Sequence, residues 1–308
     1  MARKRDNGPG GLIIVDKPAG FTSHDVVAKL RGMARTRRVG HAGTLDPMAT
    51  GVLVIGTERA TRLLGHLALT EKEYVATVRL GQETVTEDAE GEITAARGAK
   101  DLDRERVDAA VAEQTGQISQ VPSTVSAVKV DGKRAYARVR EGEEVELAAR
   151  PVTVSSFVVH DVREETAEDG TPVTDLLVSV VCSSGTYVRA LARDVGAALG
   201  TGGHLTALRR TRVGPYGLDG AHTLERLQEH LDAEEPLPVL PLGEAAAAAF
   251  SRWDVDEEQA RRIGNGVQLR MPADAAGRGP VAVFGPGGQF VALVAEQGGR
   301  AKSLAVFV

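Results

Sequence analysis

The segment GHAGTLDPMATGVL at residues 40–53 holds one acidic side chain, Asp46, in a loop rich in glycine, threonine and proline. Apolar runs flank the loop, and functional residues are commonly carried on loops that rigid elements hold in place. A single carboxylate presented in this way predicts a catalytic acid. The alternative is that Asp46-Pro47 only begins a turn or a helix, with Asp as the N-cap and Pro at the first helical position.

Basic residues are concentrated in three islands, residues 20–65, 126–140 and 186–214. Each island carries a net charge of +4, although the whole chain has a net charge of −5. Three basic islands in an acidic chain predict one positive face that holds phosphates, and an acidic remainder that limits non-specific adhesion. The alternative is solvated charge on unrelated helices.

The composition bounds the class of protein. The chain has 308 residues, which corresponds to roughly two domains, and its 42% apolar and 26% charged residues are typical of a soluble globular protein. No apolar run approaches the ~20 residues that span a bilayer, and the basic start runs into Gly and Pro rather than a signal sequence. The single cysteine, Cys182, excludes an internal disulfide and a cysteine-based metal cluster. These features predict a cytoplasmic location. We expect a monomer, because the sequence shows no long apolar patch that would be exposed.

Periodicity and capping residues predict the elements that position these groups. A helix is expected after Thr22/Ser23, and a hairpin at 126–133. On the helix predicted at 187–199, Arg189 and Arg193 share a face away from the apolar stripe. Further helices are predicted at 58–67 and 103–115, and strands at 11–16, 51–56, 74–80, 152–162, 173–182, 281–284, 290–294 and 303–308.

The order of these elements predicts a mixed α+β fold, because strands and helices interleave without a steady βαβ order. A proline-rich stretch at 233–244 marks a domain boundary. We therefore predict a first domain at 1–240, with an insertion at about 120–150, and a small all-β C-terminal domain at 241–308.

Four segments require one explanation: GLIIVDKPAGFTSHDVV, GHAGTLDPMATGVLVIG, KEYVATVRLG and CSSGTYVRAL. Together they resemble the TruB family of pseudouridine synthases, which modify uridine 55 in the T loop of transfer RNA. The resemblance covers nearly the whole chain, and the second and fourth segments are the most specific. Ala42, Met48 and Ser184 stand at positions where this chain departs from common family residues or where the family varies. None of them removes an assigned functional group.

The resemblance implies a largely antiparallel catalytic sheet with flanking helices, an insertion that grips the T arm, and a C-terminal RNA-binding module of the PUA type. It implies that Asp46 is the catalytic aspartate, that Tyr74 lies beside the base, and that Arg189 pairs with the aspartate. Lys17 and Pro18 match a motif that supports the site. The substrate-binding residues that it implies are His41, Tyr187, Leu208, Lys17 and Lys129.

The chemistry of this isomerisation suits these residue types. The bond from ribose C1′ to N1 breaks, the base turns, and C1′ joins C5, so neither a redox cofactor, a nucleoside triphosphate nor a metal is required. Asp46 can add to C6, attack C1′ or remove a proton from C2′, and the sequence does not choose among these routes. An arginine suits a carboxylate that must stay ionised, because its planar fork can bind both oxygens. A base flipped out of its stack needs an apolar or aromatic side chain to replace the stacking that it loses. We assign this role to Tyr74 and Tyr187.

Other interpretations stay open at this point. Tyr74, Tyr187 and Leu208 are also compatible with ordinary core packing, and His41 with an ordinary loop histidine. A guide-RNA-dependent pseudouridine synthase would share the catalytic motifs. A protein that only binds and folds RNA would use the same cleft without turnover.

Overall fold

The computed structural model describes residues 10–123, 129–130, 133–134, 147–277 and 279–308, with the backbone alone at 129–130 and 133–134. It divides into two compact units. The first unit comprises Met1–Asp46, Gly51–Leu69 and Val213–Val308, and the second comprises Pro47–Thr50 and Thr70–Arg212. Among the described residues, no helix combines the length and the apolar composition needed to cross a bilayer.

The helices of the described residues begin at α1, Ser23–Met33, where Thr22 forms a reciprocal capping box with Asp25. The capped start confirms the helix predicted after Thr22/Ser23. Residues 58–67 form a 3-10 helix, Glu58–Arg62, followed by one α-helical turn rather than one continuous helix. The remaining α-helices are α2 (Leu64–Leu67), α3 (Arg104–Glu113), α4 (Val188–Leu199), α5 (Leu224–Asp232), α6 (Leu242–Ala249) and α7 (Glu257–Gly264), and Leu218–Gly220 forms a second short 3-10 helix.

The described strands form two larger sheets and two short pairs. Those of the first half are β1 (Gly11–Lys17), β2 (Val39–His41), β3 (Thr50–Thr57), β4 (Lys72–Leu80), β5 (Gln82–Thr84), β6 (Ile93–Ala96), β7 (Gly116–Gln120), β8 (Lys129–Val130) and β9 (Lys133–Arg134). Those of the second half are β10 (Arg150–Thr166), β11 (Pro172–Cys182), β12 (Gly203–Val213), β13 (Tyr216–Gly217), β14 (Leu240–Pro241), β15 (Ser251–Asp254), β16 (Val281–Phe284), β17 (Phe290–Gln297) and β18 (Arg300–Val306).

In the first unit, β1 pairs antiparallel with β3 and with β14, and β2 pairs antiparallel with β3. The C-terminal strands form a separate four-stranded sheet in which β15 and β16 are parallel and the others antiparallel. The predicted strands at 281–308 are confirmed, and the structure adds two flanking helices, α6 and α7, that the sequence analysis did not predict. Phe290 and Phe307, stacked with ring centroids 4.6 Å apart, belong to the same apolar core as Leu12 and Val54. A domain boundary at residue 240 stays a prediction.

The strands of the second unit lie in the order β12–β4–β11–β10–β7, and the pairs β4–β11, β11–β10 and β10–β7 are antiparallel. Tyr74 of β4 lies opposite Val180 of β11, and β11 pairs with β10 along nearly its full length. The hairpin predicted at 126–133 is confirmed by the pairing of β8 with β9, in which Lys129 lies opposite Arg134. The mixed α+β architecture with largely antiparallel sheets therefore agrees with the prediction.

Candidate active site

Asp46 lies in an irregular loop at 42–49 that joins β2 to β3, and it is half-buried. The loop is anchored by Ser23, whose Oγ donates to the carbonyl of Leu45 at 3.1 Å and accepts from its amide at 2.9 Å. The amide of Ala42 donates to the carbonyl of Val54 at 2.9 Å, and both Ala42 and Leu45 are buried. The alternative of a helix beginning at Asp46-Pro47 is wrong, because the chain continues through this loop directly into β3. A carboxylate on an anchored, non-helical loop is suited to a chemical role.

Two other predicted site residues lie in the same unit. The His41 ring contacts His24 edge-on, with ring centroids 5.6 Å apart. Lys17 is fully buried, and its Nζ donates to the carbonyls of Pro18 at 2.9 Å and Phe21 at 2.6 Å. This ammonium therefore fixes the backbone between β1 and α1, which agrees with a supporting position. Contact of Lys17 with a substrate stays a prediction.

Tyr74 is buried within β4, on the inward face of the strand. Side chains alternate across a strand, so Lys72 shares this face and is buried too. Burial, together with the charge of Arg210, lowers the pKa of Lys72 to about 8. Its Nζ donates to the carbonyl of Thr70 at 2.8 Å. Sequence reasoning passed over Lys72, although its spacing of two residues from Tyr74 was a usable signal.

Tyr187 is the N-cap of α4, and its side chain makes no capping hydrogen bond. Gln120 binds the backbone of this residue instead: its Nε2 donates to the carbonyl of Tyr187 at 3.1 Å, and its Oε1 accepts from the amide of Tyr187 at 2.8 Å. Gln120 is buried, so these two bonds fix the start of the helix that carries Arg189. Sequence reasoning missed Gln120, because nothing local to it points toward residue 187.

Arg189 is held at the first turn of α4 by partners from two distant segments. Its Nη1 donates to the carbonyl of Thr86 at 2.7 Å and to Oγ of Ser123 at 2.9 Å. Its Nε lies 3.6 Å from Oδ2 of Asp88, and the two side chains are each only 4% exposed. Asp88 also accepts from Oγ1 of Thr86 and from the amide of Glu90. The guanidinium therefore has a fixed direction and a buried counter-charge.

Sequence reasoning missed Asp88, which lies between the predicted strand at 74–80 and the predicted helix at 103–115. Its Oδ2 reaches α4, and the cost of burying a carboxylate is offset by an ion pair and hydrogen bonds. The only local signal was the clustering of threonine and acidic residues at 84–90. The pairing of Arg189 with Asp46, implied by the resemblance, stays a prediction.

Some residues of the basic islands bind partners within the protein, and others are exposed. In the island at 186–214, Arg210 is fully buried, and Arg212 binds Glu71 at 3.0 Å and Glu73 at 3.1 Å. In the island at 20–65, Arg59 and Arg62 donate to backbone carbonyls near the end of β18. Part of the basic charge therefore binds partners within the protein. Arg35 and Arg37, by contrast, are exposed on the turn after α1.

The remaining predicted residues are placed as follows. Leu208 is buried on β12, the strand beside β4. Lys129 lies in β8, and its side chain is outside the described residues, as is most of the segment at 124–146. The candidate residues in the second unit are Tyr74, Tyr187, Arg189 and Leu208, and those in the first unit are Lys17, His41 and Asp46. Asp46 is the last residue of the first unit before the chain continues into the second at Pro47.

Comparison with protein families accounts for most of the chain. Residues 31–188 match the TruB family pseudouridylate synthase N-terminal domain. Residues 189–242 match the tRNA pseudouridylate synthase B C-terminal domain, and residues 250–308 match the tRNA pseudouridine synthase II C-terminal domain. These ranges include every residue assigned to the candidate site except Lys17.

Individual relatives agree with the family models. The chain is 70% identical to tRNA pseudouridine synthase B of Streptomyces griseus, with 97% of each chain covered, and 54% identical to that of Thermobifida fusca, with 96% and 98% covered. A solved Cbf5-Nop10-Gar1 complex contains a chain that is 26% identical, with a TM-score of 0.72 and coverage of 97% of this chain and 85% of that one. These similarities define a pseudouridine synthase. The chain belongs to the TruB family.

Proposed function

We propose that this chain isomerises uridine 55 in the T loop of transfer RNA to pseudouridine, with Asp46 as the catalytic carboxylate. The assignment of tRNA as the substrate rests on the 70% identity, over 97% of both chains, to a protein named tRNA pseudouridine synthase B. The anchored loop supports the role of Asp46, because Ser23 and the buried Leu45 hold its backbone in place before any substrate arrives.

Tyr74 and Arg189 are the other two residues to which we assign catalytic roles. Tyr74 sits on a rigid strand and offers an aromatic face to a base that has left its stack. Phenols in general are poor bases at neutral pH, because they ordinarily titrate near pH 10. Stacking is therefore the first role of Tyr74 and proton removal its second. Arg189 supplies a permanent positive charge at a helix N-terminus, where anionic groups are favoured.

Loss of the Asp46 carboxylate separates chemistry from binding. Asp46→Asn keeps the size of the side chain, so we expect turnover to disappear while RNA affinity stays within about tenfold of wild type, or about 1.4 kcal/mol. Tritium release from C5-labelled uridine measures turnover, and mass spectrometry of the tRNA locates the product. Near-normal tritium release by the variant would exclude Asp46 as the catalytic residue. Product at a uridine outside the T loop would exclude the proposed substrate site.

A guide-RNA-dependent activity is the second candidate, because two solved structures with TM-scores of 0.72 and 0.71 are a Cbf5-Nop10-Gar1 complex and an H/ACA RNP bound to a substrate RNA. Incubation of the purified chain with naked tRNA distinguishes the two candidates. Product formed without added RNA or protein supports a stand-alone enzyme, and product formed only with a guide supports the other assignment.

An RNA-folding role would not need the carboxylate. The same Asp46→Asn protein, assayed for refolding of denatured tRNA, tests it directly. Refolding that exceeds the protein-free level and is equal in the variant and the wild type would identify a second activity of the chain beside isomerisation.

A further inference from the structure

Arg193 lies one helical turn after Arg189 on α4 and repeats its pattern of contacts. Its Nη1 binds Oε1 of Glu87 at 2.7 Å, and its Nη2 donates to the carbonyl of Val121 at 2.9 Å. Arg189 in turn binds the neighbouring residues of the same two segments, as described above. Two arginines on one helix face therefore both join the loop at 86–88 to the segment at 121–123.

The third side of the Arg193 guanidinium is also occupied. Its Nε donates to Oδ1 of Asp194 at 2.8 Å. A planar guanidinium that binds three acceptors in different directions has little rotational freedom. Three hydrogen bonds therefore fix the orientation of the Arg193 guanidinium, although the side chain is partly exposed, and the same bonds restrain Glu87 and Val121.

Glu87 has a backbone φ of +61°, a conformation that L residues other than asparagine and aspartate rarely adopt. It is buried, its carbonyl accepts from the amide of Leu205 at 3.1 Å, and its Oε2 has no hydrogen-bond partner among the described residues. Strained backbone of this kind persists where the surroundings hold it. The contact that holds the Glu87 side chain is Arg193.

We propose that Arg193 and Glu87 form a positioning pair that fixes the loop carrying Asp88, and with it the direction of the Arg189 guanidinium. This inference rests on the proposed function, in which Arg189 acts in the isomerisation. Asp88 follows Glu87 directly, so any shift of the strained residue moves the Asp88 carboxylate. The pair acts through Arg189 and not on the reacting base itself.

The pair is tested first by kinetics. Arg193→Gln removes the charge, and Glu87→Gly removes the carboxylate while accepting the positive φ without strain. For each variant we expect the single-turnover rate at saturating tRNA to fall about tenfold, because misplaced groups slow chemistry, and Kd for tRNA to stay within about threefold. Arg193→Lys, which keeps the charge and one contact, should be intermediate. The double variant should be no slower than either single one, since coupled residues are not additive.

The matched control is Arg104→Gln. Arg104 belongs to the same unit and likewise binds one carboxylate, Asp108 at 2.8 Å, and one carbonyl, Val159 at 3.3 Å. It should leave the rate unchanged. An Arg193→Gln rate equal to this control, or a double variant whose loss is the product of the single losses, would overturn the proposal.

Hydrogen exchange tests the same pair without any need for activity. Arg193→Gln should speed amide exchange at 84–91, where the amides of Val85, Glu87 and Gly91 donate backbone hydrogen bonds, whereas Arg104→Gln should not. Unchanged exchange in the loop at 84–91 would overturn the positioning role. If the wild-type protein were inactive on tRNA and Arg193→Gln still altered the exchange, the pair would stand as a structural device and the proposed function alone would fail.

Discussion

Removal of the Asp88 charge should destabilise the second unit strongly. Asp88→Asn keeps the shape of the side chain but leaves Arg189 charged at a site where both partners are 4% exposed. At their separation of 3.6 Å, two unit charges attract by about 4–5 kcal/mol at an effective dielectric constant of about 20. Breaking a buried pair by neutralising one partner typically costs about 3–5 kcal/mol. The two magnitudes agree, so we expect a loss of about 3 kcal/mol or more.

Thermal unfolding measures this loss. One kcal/mol lowers Tm by roughly 2–4 °C in a domain of 150–250 residues, so the transition that includes the second unit should fall by about 6 °C or more. The matched control is Asp108→Asn. Its partner Arg104 is closer, at 2.8 Å, but the two side chains are 54% and 52% exposed. An exposed pair contributes about 0–1 kcal/mol, so this control should hardly move Tm. Equal shifts in the two variants would refute the argument from burial.

Three other expectations follow from single contacts. Below pH 8 Lys72 is protonated in both the folded and the unfolded protein, and its burial makes the charged form unfavourable in the folded protein. Between pH 8 and 10.5 the unfolded chain binds more protons than the folded one, so the free energy of unfolding should rise with pH relative to that of Lys72→Met. Urea unfolding across this range measures the difference, and parallel pH curves for the two proteins would contradict the expectation. Burial raises the pKa of the Cys182 thiol to about 11, so the folded protein should resist thiol reagents at pH 8 until it unfolds; rapid labelling of native protein would show the thiol to be accessible. If Arg37 contacts one RNA phosphate, Arg37→Gln should reduce the magnitude of the slope of log binding constant against log salt concentration by about 0.7–0.9. Arg106 is exposed on α3, and Arg106→Gln should leave the slope unchanged. Equal slopes in the wild type and both variants would show that Arg37 does not contact the RNA.

Local patterns in the sequence were sufficient wherever neighbouring residues decide the structure. Thr22 and Asp25 cap each other within one turn, and the predicted start of α1 follows from that contact alone. The alternation of β4 placed Tyr74 on an inward face, and the hairpin signal in the sequence predicted the strand pair in which Lys129 lies opposite Arg134. The irregular loop at 42–49 also carried its own signal, in a single acid among glycine, threonine and proline.

The tertiary structure decided the partners of the charged residues. Arg189 and Thr86 are 103 residues apart in the chain, and nothing in either segment encodes the other. Lys17 and Arg210 are fully buried, although composition predicts exposure for both residue types. The acceptors of the Lys17 ammonium are local, at Pro18 and Phe21, whereas those of the Arg189 guanidinium lie in segments that only the fold brings to it. The sequence by itself therefore determined the family motifs and the elements whose signals are local, such as α1 and β4, whereas the pairing of Arg189 with Asp88 and of Arg193 with Glu87 depended on how distant segments meet.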